Sequence, residues 1–240
     1  MDIKIPYTPR KHQAHLHRQI DKHRWNVLVC HRRFGKTVCM INHLIRSALL
    51  SKLSNPRFAY IAPTFKQAKS IAWDYMKQFT AKIPHTKFNE TELRVDLPNG
   101  SRITLLGSES PDGLRGIYLD GCVIDEYANV NSKLFPEIIR PALSDRKGYC
   151  VFIGTPMGMN NNFYELYQHA QGAEDWFNYK AKASDTKIVD DDELVKAKEV
   201  MGDKKYNQEF ECDWIANIEG AVYGDVIAKL DDDKQLTRVP

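Results

Sequence analysis

The chain has 240 residues, 42% hydrophobic and 27% charged, with a formal net charge of +3. That composition excludes a disordered or fibrous chain, and so small a charge does not itself demand nucleic acid, although a local basic stripe could contact it. No apolar run approaches membrane length, no signal core follows Met1, and Cys30, Cys39, Cys122, Cys150 and Cys212 lack metal-ligand spacing, so a cytosolic protein with reduced core cysteines is expected.

Thr8 and Pro9 are expected to cap and open a first helix that runs to about Lys22. Val27 to Cys30 is a buried strand. A helix follows Lys36, with Val38, Ile41, Leu44, Ile45 and Ala48 on one face. "RFAYIAPT" is a second strand and "KQAKSIAWDYMKQFTAKI" a helix. "LRVDLPNGSRITLLG" is a hairpin about Pro98-Asn99-Gly100. "GCVIDE" is a buried strand ending in two acids, "SKLFPEIIRPAL" a helix broken near its prolines, "YCVFIGTP" a buried strand and "NNFYELYQHAQ" a helix. After about Asp175 the pattern is less regular, with one or two helices in "DDDELVKAKEVMGDKKYNQEFECDW". Apolar strands that alternate with helices imply an α/β domain with a mostly parallel sheet flanked by helices.

The chemistry concentrates at strand ends. In "CHRRFGKT", Gly35, Lys36 and Thr37 match the end of the phosphate-loop pattern, while Cys30 stands at its first glycine position. Gly35 would let backbone N–H groups approach phosphate oxygens. Lys36 would place a charge near the β- and γ-phosphates, and the Thr37 hydroxyl would ligate Mg²⁺ at a helix N-terminus. The plainer alternative is an accidental tripeptide in a basic loop; the strand before it and the helix after it argue against that. "CVIDEYA" supplies Asp125, to hold Mg²⁺ through its water shell, and Glu126, to take a proton from the attacking water. Its alternative is a solvated turn. "VFIGTPMG" ends in Thr155, suited to sensing a γ-phosphate in P-loop ATPases with an extra strand and a catalytic glutamate. A simple polar turn is an equally good account of it. The expected fold is therefore a P-loop NTPase of the ASCE type.

Together these motifs resemble the ATPase domain of large terminase subunits, the DNA-packaging motors of tailed bacteriophages. "YTPRKHQ" is similar to that family's adenine-binding motif, "HRRFGKT" to its arginine-containing P-loop, and "GLRG" (Gly113 to Gly116), "VIDEYA" and "IGTPMG" follow in the family order. "YNQEFECDW" and "GAVYGDVI" resemble the end of its ATPase region. The resemblance implies nucleotide binding by Arg32, Arg33, Phe34, Gly35, Lys36 and Thr37, with Tyr7, Arg10 and Gln13 facing adenine. The alternative for those last three is the cap and first turn of a surface helix. It implies Mg²⁺ at Thr37 and Asp125, catalysis by Lys36, Glu126 and Arg115, and coupling of hydrolysis to movement by Thr155. Arg115 would reach into a neighbouring subunit's site; otherwise it belongs to a surface turn or pairs with Asp112 or Asp120.

ATP and Mg²⁺ are the implied cofactors. Double-stranded viral DNA, the portal protein, the small terminase subunit and a homo-oligomeric ring are the implied partners, with no membrane involved. The implied location is the host cytoplasm, docked on the procapsid. Residues 1–215 are expected to be the motor domain, with a small helical subdomain near 185–212. Residues 216–240 are expected to be a linker towards an RNase H-like nuclease domain beyond Pro240, with Asp231, Asp232 and Asp233 a solvated run. The chain alone is expected to be monomeric and nearly idle. Two rivals remain: a nucleic-acid helicase, which would need a second RecA-like domain, and a switch that binds ATP without turning it over, which would need no Glu126. Lys66, Lys69, Lys77 and Lys82 could grip a DNA backbone, but a solvated charged face explains most of them.

Overall fold

The computed structural model describes residues 5–215. Its strands are β1 (Trp25–Cys30), β2 (Arg57–Ala62), β3 (Lys87–Asn89), β4 (Arg94–Asp96), β5 (Arg102–Gly107), β6 (Gly121–Asp125), β7 (Tyr149–Gly154) and β8 (Trp176–Ala181). They form one sheet in the order β3-β4-β5-β2-β6-β7-β1-β8. All pairs from β5 across to β8 are parallel, and at one edge β4 pairs antiparallel with both β3 and β5. The expected α/β class and the hairpin over residues 94–107 are thus present.

Side chains alternate across the sheet, and both faces are covered. Leu28, Cys30, Tyr60, Val123, Val151 and Ile153 point to one layer. That layer is built on α1 (Lys11–Ile20), α2 (Lys36–Leu50), α3 (Phe65–Ala68) and α4 (Asp74–Thr80). Val27, Val29, Ala59, Ile61, Cys122, Ile124 and Phe152 point to the other, with Leu134, Ile139 and Phe163, the last on α6 (Asn162–Ala170). This two-sided burial is why the central strands read as continuous apolar runs. Ile41, Leu44, Ile45 and Ala48 on α2 are fully buried, as the 3.6-residue period requires. All five cysteines are buried thiols.

Several local expectations need correction. The first helix starts at Lys11, not at Pro9, because the Gln13 side chain turns back to accept from the Arg10 N–H at 3.0 Å and so fixes the start two residues later. The helix read as continuous through "KQAKSIAWDYMKQFTAKI" contains a π-helical stretch, Lys69–Trp73, between α3 and α4. Leu134–Ile139 is also π-helical and runs into α5 (Arg140–Ala142); Pro136 and Pro141 each lack the N–H that a regular helix would use. Two strands went unforeseen: β3, of three residues, and β8, a half-buried edge strand inside the segment taken as irregular.

Beyond β8 come α7 (Ala183–Thr186), α8 (Asp191–Met201) and α9 (Asp203–Phe210), with Gly202 dividing the last two at φ 75°. Ala183, Leu194 and Phe210 make a small core of their own there. Among the described residues no helix is long and apolar enough to cross a membrane. The expected linker 216–240, including "GAVYGDVI" and the aspartate run, lies outside the described residues.

Candidate nucleotide site

The sheet order decides where the motifs meet. β7 lies between β1 and β6, and Ile153 on β7 pairs with Leu28 on one side and Asp125 on the other. The C-terminal tips of β1, β7 and β6 therefore stand side by side. The phosphate loop, Thr155 and the two acids follow those three tips directly. An extra strand between the loop strand and the acidic strand is the arrangement expected of the ASCE type.

The loop leaves β1 at Cys30 and enters α2 at Lys36. Positive φ falls at Arg33 (71°) and Gly35 (84°) and not at Cys30, so a side chain at the first position costs nothing in backbone conformation. At Gly35 a Cβ would also stand 2.9 Å from Gln13 Nε2. Phe34 is fully buried and pins the loop between those two left-handed residues. Lys36 Nζ donates to the carbonyls of Cys30 (3.1 Å) and His31 (3.5 Å), which holds the ammonium under the loop at the start of α2. His31 is buried. Its Nδ1 lies 2.6 Å from the Arg32 carbonyl and so carries the proton, which leaves Nε2 to accept from Thr186 Oγ1 at 2.7 Å. Burial pushes its pKa down, in keeping with a neutral ring.

Asp125 is buried, and each carboxylate oxygen has a protein donor. Oδ1 accepts from the Glu126 N–H at 2.9 Å, and Oδ2 accepts from the Tyr60 hydroxyl. Burial raises the Asp125 pKa, while the Tyr60 hydrogen bond and the Lys36 charge oppose the rise. Glu126 follows in the left-handed region, φ 46° and ψ 50°. This is a conformation that costs a residue with a Cβ about 1–2 kcal/mol and persists where packing enforces it. Gly154 on the neighbouring strand leaves this turn room: a Cβ there would stand 3.2 Å from the Phe163 ring and 3.5 Å from Tyr127 N. Burial raises the Glu126 pKa, Lys36 pulls it back, Asp125 and Glu209 add repulsion, and the Thr155 backbone N–H favours the carboxylate. Lys36, Asp125, Glu126 and Thr155 thus share one electrostatic neighbourhood.

The donor set suits Mg²⁺. Thr37 and Asp125 offer hard oxygens, and among the described residues no three His, Cys, Asp or Glu side chains are grouped to hold a metal alone. Mg²⁺ keeps most of its waters and takes nucleotide oxygens instead of a full protein cage. Two adjacent carboxylates, both pushed up by burial, are the surroundings in which a cation relieves repulsion.

The other expected residues divide. Arg10 Nη1 donates to the Phe34 carbonyl (3.4 Å) and Gln13 Nε2 to the Gly35 carbonyl (3.3 Å), so both support the loop backbone. Tyr7 stands apart: its hydroxyl bonds His17 Nε2 at 2.9 Å, and its ring packs edge-on against Phe79. The Arg32 N–H donates to the Glu209 carbonyl at 2.7 Å, and its guanidinium lies 3.8 Å from the Glu209 carboxylate. The Arg33 and Arg32 side chains are exposed. Arg115 is exposed and bonds Asp112 Oδ1 at 2.8 Å, with Glu137 at 3.8 Å. Asp120 is instead taken by the Arg57 N–H (2.7 Å) and by Arg146 (3.4 Å). Arg115 lies on the loop leading into the N-terminal end of β6, while Asp125 closes the C-terminal end. Lys77 is paired with Asp74 and Glu90, as a solvated charged face would be.

Sequence reasoning missed Tyr60, Gln208 and Glu209. Tyr60 sits mid-strand among apolar residues and reads as core. Gln208 and Glu209 sit in a polar helix. The fold carries that helix to the site, where Gln208 Nε2 donates to the Pro156 carbonyl at 2.7 Å, one residue after Thr155.

Comparison with known proteins agrees with this geometry. The family described as terminase large subunit, T4likevirus-type, N-terminal, matches residues 29–225. The terminase large subunit of Thermus phage G20c is 30% identical over an alignment of 126 residues that covers 45% of this chain and 26% of that protein. The large terminase ATPase domain of Thermus phage P74-26 has a similar fold, with a TM-score of 0.74 at 22% identity over 88% of this chain and 95% of that one. The large terminase of another thermophilic bacteriophage, solved in complex with ADP, gives 0.74 at 16% identity over 85% of this chain and 53% of that one.

Proposed function

The chain belongs to the terminase large subunits of the T4-like-virus type through their N-terminal region, and on that premise we propose that it is an ATP-hydrolysing motor domain that drives double-stranded viral DNA into a procapsid. The observation that carries the proposal is the meeting of Lys36, Asp125, Glu126 and the Thr155 amide at three adjacent strand tips.

Each residue has a task set by its position. The N–H groups at the start of α2 and the Lys36 ammonium bind the phosphates, with Arg10 and Gln13 bracing the loop from behind. Thr37 and Asp125 would hold Mg²⁺, which would supply positive charge against the β- and γ-phosphates. Glu126 orients the attacking water and accepts its proton. Its raised pKa makes it a stronger base than an exposed glutamate. Arg115, on a loop away from its own site, is suited to stabilise phosphoryl charge in a neighbouring copy once it leaves Asp112. Movement would leave the site through Thr155, whose amide faces Glu126 and whose neighbour Pro156 is held by Gln208 on α9. The portal protein, the small terminase subunit, a ring of copies and a station on the procapsid in the host cytoplasm complete the proposal.

Displacement of a third strand from duplex DNA tests it. Under conditions in which copies assemble, ATP should drive the third strand off while the duplex stays paired. Separation of the duplex strands would instead identify a helicase, and no ATP-dependent displacement by the assembled protein would refute a motor.

A further inference from the structure

Tyr60 bonds one of the two residues assigned to the cation, yet no step of the proposed hydrolysis uses it. It is 1% exposed, in the middle of β2, beside Val123 of the acidic strand. Its hydroxyl donates to Asp125 Oδ2. A phenol has one proton to give, and here it goes to that carboxylate.

The phenol on one oxygen and the Glu126 N–H at 2.9 Å on the other fix the plane of the Asp125 carboxylate. Simple core packing would need the ring but not the hydroxyl. A buried hydroxyl that donates to a carboxylate at a strand tip does more than fill space.

We infer that Tyr60 is a positioning residue that pre-sets the carboxylate oxygens of Asp125 for the divalent cation of the nucleotide complex. The inference rests on the nucleotide site proposed above. Mg²⁺ tolerates little departure from octahedral geometry, so loosening its protein oxygens should weaken it most. Partners that orient metal ligands are typically worth about 10–100-fold in metal affinity.

The test is binding of a fluorescent ATP analogue to the folded chain, titrated with Mg²⁺ and measured without any turnover. Tyr60→Phe removes only the hydroxyl. It should leave analogue binding in EDTA unchanged and raise the Mg²⁺ needed for half-saturation about 10–100-fold. A Tyr60→Phe curve that overlays the wild type overturns the inference, and so does an equal loss with and without Mg²⁺, which would mean a purely structural role. As a second measurement, Asp125→Asn is compared with Tyr60→Phe/Asp125→Asn, because the amide removes the carboxylate through which the phenol is inferred to act. Matching Mg²⁺ dependence of these two supports action through Asp125, whereas a further shift in the double variant contradicts it. A wild-type chain that binds no analogue under any condition would instead defeat the site assignment itself, and a wild type that binds with Mg²⁺ separates the two failures.

Discussion

Replacing Glu126 with glutamine separates binding from chemistry. Glutamine has the shape of glutamate and the same tolerance of the left-handed backbone at position 126, so it should occupy the same place and lose only the charge. Loss of a positioned general base typically costs about 10²–10⁴ in rate, or about 3–5 kcal/mol of barrier at 1.36 kcal/mol per tenfold. Nucleotide affinity should hold or rise, because a carboxylate beside the triphosphate disappears. Stability should not fall. Burial raises the folded-state pKa of Glu126 above its unfolded value, so its favourable contribution belongs to low pH and is lost as pH rises from the unfolded pKa through the folded one. At neutral pH the ionised side chain is a cost that glutamine removes. Phosphate release under saturating Mg-ATP, with analogue binding and a thermal melt on the same sample, measures all three. Turnover at the wild-type rate in a folded, nucleotide-binding Glu126→Gln protein would show that the base lies elsewhere.

Other outcomes follow from the same geometry. Mixing Arg115→Ala with Glu126→Ala under assembling conditions should restore part of the ATPase activity that each lacks; no recovery in demonstrated mixed assemblies would place Arg115 in its own site or in its loop pairing with Asp112. Gly35→Ala should cripple nucleotide binding, because φ is 84° and the new Cβ meets Gln13; analogue binding at wild-type affinity would contradict the loop geometry. Gln208→Ala frees the Pro156 carbonyl and should slow turnover more than it weakens binding, read as a fall in kcat at nearly constant nucleotide affinity. Burial lowers the pKa of His17 to about 4 and of His43 to about 3, and their Nδ1 atoms lie 3.0 Å apart. Both contributions are complete above the unfolded pKa near 6.5 and are lost as pH falls towards the folded values. Denaturant titrations should therefore lose about 2 kcal/mol per histidine between pH 7 and pH 5, and a His43→Phe variant should show a shallower slope.

Much of the site was legible because its chemistry is local in sequence. Gly35, Lys36 and Thr37 are consecutive at one strand-to-helix turn, and Asp125 and Glu126 close one strand. The order of apolar runs also sufficed for a parallel sheet, because both faces are buried and the strands carry no polar alternation. What escaped notice depends on distant contacts. Tyr60 becomes a site residue only through its neighbour β6, and Glu209 only because α9 folds back onto Arg32. β8 pairs on one side only, so its residues stay half-buried and its pattern looks like a loop. The start of α1 was misplaced for a similar reason: Gln13, which supports the phosphate loop, also sets the cap.

Steady-state, Mg²⁺-dependent phosphate release from ATP by assembled wild-type protein and by Lys36→Ala tests the central claim most directly. The Lys36 ammonium lies under the loop at the head of α2, within the field of both Asp125 and Glu126. Hydrolysis by the wild type and none by folded Lys36→Ala is the expected result. Equal rates in the two proteins, or no hydrolysis by the assembled wild type, would contradict an ATP-driven motor at this site.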